Sequence, residues 1–261
     1  MRCLFCKGDS SSSVSVEHIV PESLGNTEHV LPPGIVCDAC NNYFSREVEK
    51  RFLDHISVRH LRFRQGIPNR RGYIPTVDGM LSTGEPTRLY RTPEGQIEIE
   101  MTPEYLTRTK ATGFGTLFLP VPDCLPEGAI ASRFLAKMAV EVLASRNLSD
   151  PAWHESLVDD PQIDEIRGHA RWYSPREWPY SVRRLYEPDR VSGHDELGRP
   201  LQTIHEFDFL VTASEEWYFI FALWGTEFAI NLGGPEVDGY SEWLFAHDNV
   251  SPLYFGKNSS T

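Results

Sequence analysis

Two Cys-x-x-Cys steps, Cys3 with Cys6 and Cys37 with Cys40, stand 30 residues apart at the start of a 261-residue chain. A step of this kind turns two thiolates toward one point, so two of them supply the four ligands of a tetrahedral Zn2+. Two readings compete: a thioredoxin-like redox pair, which needs a βαβ setting that neither step has, and unliganded core cysteines. The fifth cysteine, Cys124, has no partner at ligand spacing and reads as a small buried hydrophobe. No run of about 18 apolar residues occurs, and the opening MRCLFCKGD has neither a basic n-region nor an apolar stretch behind it. The expectation is a soluble, cytoplasmic protein without a membrane segment, in which paired cysteines bind metal before they form disulfides.

The spacing between the two steps is longer than a compact zinc ribbon needs, so something is inserted there, and it contains Glu17-His18. VSVEHIVP reads as a short strand running into an extended X-Pro step, and Ile35 to Cys37 as a second short strand. From Asp38 the pattern turns helical, with Phe44, Val48, Phe52 and Ile56 recurring at every fourth position. The order is strand, strand, helix. Further on, 86–101 reads as a hairpin, Ala129 to Asn147 as a core helix, and Glu206 to Val211, Trp217 to Trp224 and Glu227 to Leu232 as antiparallel strands. The fold class expected is α+β, with residues 1–66 as one module and 67–261 as an accessory region of unassigned role. Trp217, Trp224 and Trp243 read as core residues rather than stacking platforms for bases.

EHIVPESLGN followed by VCDACNNYFS resembles the HNH endonuclease family, in the form where two cysteine pairs flank the active site. The resemblance runs from Cys3 to about Phe44 and implies a ββα unit around a catalytic metal, stapled by a structural Zn2+ on Cys3, Cys6, Cys37 and Cys40. It further implies that Glu17 is the acidic metal ligand, His18 the general base, and Asn41, directly after the last cysteine, the ligand at the start of the helix. Asn42 is the alternative to Asn41. Asn41 stands where His is commoner, and no Asn occupies the usual place shortly before Cys37, which leaves open what orients His18.

The chemistry fits these residue types. A neutral histidine takes a proton from water, and a carboxylate with an amide oxygen makes a hard ligand set for Mg2+ or Mn2+ at a scissile phosphate. The chain is acidic, at −12, but Arg46, Lys50, Arg51, Arg59, Arg62, Arg64, Arg70 and Arg71 outnumber Glu47, Glu49 and Asp54 between positions 46 and 71, for a local net of +5. A polyanion is therefore expected on this segment, with Arg46, Lys50 and Arg51 holding flanking phosphates, unless the segment is only a solvated basic helix face. The function expected is a metal-dependent endonuclease, acting on DNA by a one-metal mechanism with histidine as base. The alternatives are a non-catalytic zinc module that grips nucleic acid or protein, and a nuclease directed at RNA. Neither the oligomeric state nor the strand preference is legible in the sequence.

Overall fold

Residues 1–92, 94–120, 124–188, 190–194, 196, 198 and 200–255 are described by the computed structural model. It is an α+β protein with antiparallel sheets and helices. The chain divides into two compact units, and the division does not follow a single cut after residue 66. The first unit comprises Met1–Val20, Glu28–Glu49 and Glu127–Thr261, and the second comprises Pro21–Thr27 and Lys50–Pro126. No helix among the described residues is long and apolar enough to cross a membrane.

In the first unit, strand β1 (Glu17–His18) pairs antiparallel with β2 (Val30–Leu31), in the register Glu17 to Leu31 and His18 to Val30. The second strand therefore lies earlier than the Ile35 to Cys37 stretch expected for it. The backbone of that stretch is engaged elsewhere: Leu4 N donates to Ile35 O at 2.8 Å, and Cys37 caps the following helix, α1 (Asp38–Phe44). Helix α1 does not continue with uniform period, because Ser45–Glu49 forms a π turn, a register shift of the kind that lets one extra residue into a helix.

The core of this unit is the Gly128–Ser145 helix, whose side chains from Ala131 to Ala144 are all buried. A helix buried on every face must be enclosed by neighbouring elements, and its buried Arg133, Lys137 and Glu141 must find partners there. One neighbour is the four-stranded antiparallel sheet ordered His205–Val211, Trp217–Leu223, Thr226–Asn231, Ser181–Arg184, against which Phe134 meets Phe221 at 6.3 Å. The opposite sheet face carries Tyr218, Ile220 and Ala222 into a cluster with Tyr240 and Leu244 of the Asp238–Ala246 helix. With both faces covered, Thr226–Asn231 is buried along its whole length. Trp224 is buried and Trp243 half-buried, as expected, whereas Trp217 is 44 % exposed.

The second unit opens on the helical turn Lys50–Leu53, breaks at Asp54 and His55, and resumes as Ile56–Gln65. The break displaces the helical stripe, and Ile56 is 48 % exposed. Its sheet has the order Ile97–Ile99, Pro86–Arg91, Val77–Leu81, Leu117–Phe118, so the 86–101 hairpin is present. Phe63, Val77 and Leu89 form the centre of this unit's core. Cys124 is exposed, contrary to its reading as a buried hydrophobe.

Candidate active site and metal centre

The Sγ atoms of Cys3, Cys6, Cys37 and Cys40 all lie within 4.8 Å of one another. Sulfurs bound to one tetrahedral Zn2+ at about 2.3 Å stand about 3.8 Å apart, and Cys6 and Cys37 are 3.7 Å apart, so the four side chains are spaced to hold a single ion. Local turns create the two loops. Lys7 adopts φ 57° as the first loop closes through Lys7 N to Cys3 O at 2.9 Å, and Cys37 Sγ accepts from Cys40 N at 3.4 Å at the start of α1. Cys37 N donates to Cys3 Sγ at 3.3 Å, which ties the loops together.

Donors around the sulfurs favour thiolate. Arg171, near the end of the Asp164–Trp172 helix, places Nε 3.2 Å from Cys40 Sγ and its guanidinium 3.9 Å from the ring centre of Tyr43 on α1. With only protons to share, the sulfurs are unequal. A hydrogen bond from Cys40 draws the Cys3 thiol down to about 4, and the same bond, with burial, pushes Cys40 up. A divalent cation relieves this crowding by taking all four as thiolates.

Strand β1 sits beside this centre. Asn41, one residue beyond the last cysteine, donates Nδ2 to Val16 O at 3.1 Å, which fixes the start of α1 to the residue before Glu17. Because the amide nitrogen is engaged with a carbonyl, the amide oxygen is the atom left for a cation. Asn42 is exposed. Adjacent residues of a strand point to opposite faces, and Glu17 turns inward while His18 is half-buried.

Glu17 is 4 % exposed, and its Oε1 lies 2.7 Å from Lys137 Nζ. Its Oε2 is buried without a hydrogen-bond partner. Burial pushes this carboxyl up to about 7, against the pull of Lys137. The Nδ1 of His18 is likewise enclosed without a partner, so no side chain among the described residues orients the ring through that atom. This matches the missing Asn before Cys37. Glu17 Oε2 and the Asn41 amide oxygen are two hard donors of the type that Mg2+ or Mn2+ takes, and the unpartnered Oε2 in particular fits such an ion.

Behind β1 lies a cluster that sequence reasoning missed. Lys137 is fully buried, and its Nζ is 2.7 Å from Glu17, 2.7 Å from Glu49 and 3.0 Å from Glu141. It also donates to His18 O at 2.8 Å. Burial works against the ammonium, but Glu141, Glu17 and Glu49 outweigh it and hold Lys137 protonated, while burial pushes Glu141 well above the usual carboxylate range. The available signal was Lys137 and Glu141, a charged i,i+4 pair that follows Arg133 at the same spacing in a helix otherwise largely apolar.

The basic segment is thinner than its composition promises. Arg46, Lys50, Arg51, Arg64, Arg70 and Arg71 are exposed, with Arg46 in the first unit and the rest in the second. Lys50 is paired with Asp54. Arg62 is only 7 % exposed and Arg59 donates to Thr76 O at 2.9 Å, so these two serve the packing of the second unit and not an outer surface.

No curated protein and no solved structure matches the chain. The four cysteines, Glu17, His18 and Asn41 all fall within residues 3–57, about a fifth of the sequence, and it is this stretch that matches the HNH endonuclease family.

Proposed function

We propose that the chain is a metal-dependent nuclease that hydrolyses phosphodiester bonds in nucleic acid, with DNA as its substrate. The observation that carries this is the Asn41 to Val16 hydrogen bond, which brings the helix-start amide to the strand bearing Glu17 and His18, next to four clustered cysteines and inside the stretch similar to HNH endonucleases. In this reading β1, β2 and α1 form the ββα-metal module, and Cys3, Cys6, Cys37 and Cys40 hold a structural Zn2+ that keeps its loops closed.

Glu17 Oε2 and the Asn41 amide oxygen hold the catalytic cation. Bound there, Mg2+ or Mn2+ supplies positive charge to the scissile phosphate and to the departing oxygen. With Nδ1 of His18 enclosed, Nε2 is the ring nitrogen that meets water, and it accepts the proton as the oxygen attacks phosphorus in line. Arg46, and after it in the chain Lys50 and Arg51, hold flanking phosphates without reading base sequence.

The test is incubation of purified protein with supercoiled DNA, single-stranded DNA and RNA in Mg2+, Mn2+ or EDTA. Cleavage of DNA that EDTA abolishes is the expected result, and preferential cleavage of RNA would reassign the substrate. The pairing of Glu17 with Lys137 favours a second reading, a zinc-stapled module that binds nucleic acid without cutting it, since an internal ion pair is a structural use of the carboxylate. Binding with no cleavage in either metal would select that reading.

A further inference from the structure

We infer that Lys137 is a positioning residue for the Glu17-His18 pair, a clamp that holds β1 from behind through one side chain and one carbonyl. This rests on the nuclease reading of Glu17 and His18. An ammonium has three N–H donors, and here it meets five oxygens: three carboxylates, at 2.7, 2.7 and 3.0 Å, and the main-chain carbonyls of His18 at 2.8 Å and Ile19 at 3.5 Å. Two of these five belong to the backbone that carries the histidine.

A fully buried cation is a poor choice for stability alone, because an apolar side chain of similar volume fills such a position at no desolvation cost. The rest of the Gly128–Ser145 helix uses apolar side chains at its buried positions almost throughout. Among its buried charges, Arg133 serves Tyr43 and Ala170 O, whereas Lys137, with Glu141, falls where the helix passes the strand bearing Glu17 and His18. The His18 ring has no partner at Nδ1, so its direction follows from its backbone, and Lys137 fixes that backbone at the carbonyl. The same ammonium takes Oε1 of Glu17, which leaves Oε2 as the oxygen turned to other use. Glu141, one helical turn on, holds the lysine from its own helix, and Glu49 closes the set from the π turn after α1.

The experiment is Lys137→Met in the full chain, with three measurements besides cleavage rate: zinc content, Mn2+ binding by electron paramagnetic resonance, and the imidazole NMR signals of His18 in protein without Mn2+, assigned with His18→Ala. The expected result is one zinc retained and unchanged affinity for nucleic acid, with shifted and broadened His18 signals, a Mn2+ requirement raised about 10-fold or more, and a lower kcat even at saturating Mn2+. Should the single variant not fold, Lys137→Met with Glu141→Leu removes opposite charges together, leaves the formal charge of the cluster unchanged, and is expected to give the same pattern. Unchanged His18 signals and an unchanged Mn2+ requirement in a folded variant would overturn the clamp. So would loss of zinc and of structure in both variants, which would make the cluster a general support of the unit. If the wild-type protein does not cut, the nuclease reading fails, and the His18 signals still decide whether Lys137 holds that strand.

Discussion

Replacing His18 with alanine is expected to separate chemistry from architecture with little disturbance of either proposed metal site. The ring makes no hydrogen bond through its enclosed Nδ1, and the contact that ties this residue to Lys137 uses the main-chain carbonyl, which alanine keeps. Two opposing terms act on stability. Losing the buried part of the ring costs about 1 kcal/mol, and removing an unsatisfied buried nitrogen returns an amount of similar order. The net change is expected within about 1 kcal/mol, a shift of only a few degrees in Tm for a chain of this size. Cleavage behaves differently. Without its general base the reaction is expected to slow by about 10² to 10⁴-fold, equivalent to roughly 3 to 5 kcal/mol in the barrier. Single-turnover cleavage of a labelled duplex at saturating Mn2+, run beside thermal melting and zinc analysis, reads all these quantities on one preparation. Partial recovery of the rate with added imidazole would place the defect at proton transfer. A His18→Ala variant that melts like wild type and cuts within a factor of about three of it would refute the assignment of His18 as base.

The remaining predictions concern binding and the sulfur centre. Cys37→Ser keeps an acceptor for the Cys40 amide but removes a thiolate ligand, so one equivalent of zinc is expected to be lost together with the native near-UV signal; metal analysis of the purified variant checks this. Arg51→Glu, at an exposed position, is expected to weaken nucleic-acid binding and flatten its salt dependence, which a salt titration of affinity measures. Arg62→Glu is expected to lower the unfolding midpoint instead, by inserting an acid at a site only 7 % exposed, and chemical denaturation distinguishes the two outcomes.

What was legible in the sequence was what is encoded locally. The two cysteine steps make their own turns, the Gly128–Ser145 helix shows its apolar period around the charges Arg133, Lys137 and Glu141, and the Trp217–Leu223 and Thr226–Asn231 strands join through a two-residue turn at Trp224 and Gly225, both at positive φ. The misread features depend on distant partners. Ile35 to Cys37 has the composition of a strand, but its carbonyl at Ile35 is taken by Leu4 in the first cysteine loop, a contact across more than 30 positions that no window of residues reveals. Arg62 looked like one of a row of phosphate-binding cations because charge says nothing about which helix face turns inward. Glu17 was recognisable as an acid beside a histidine; that its counter-ion stands on a helix 120 positions later was not.

These long-range contacts also decide whether residues 1–66 can act as a module of their own. Strand β1 and helix α1 of the candidate site are both supported from beyond residue 126. Glu17 needs Lys137, Cys40 accepts from Arg171, and Tyr43 receives the Arg133 guanidinium, which also donates to Ala170 O. In an isolated 1–66 fragment Glu17 loses its counter-ion, and β1 and β2, two residues each, keep α1 but lose the Gly128–Ser145 helix behind them. Strands so short are not stable alone in water. Zinc binding survives such a cut more readily than catalysis does, because the two loops close within residues 1–40 and gain free energy from the metal directly. The fragment is therefore expected to bind one zinc, to show broad amide signals over residues 14–31, and to cut no nucleic acid at any Mn2+ concentration. A chain retaining 1–66 and 127–261, joined by a flexible linker in place of 67–126, is expected to regain the β1 and β2 amide signals. Cleavage by the 1–66 fragment at a rate near that of the whole chain would show that the helix bearing Lys137 is dispensable, and that the ββα unit holds its geometry with the zinc alone.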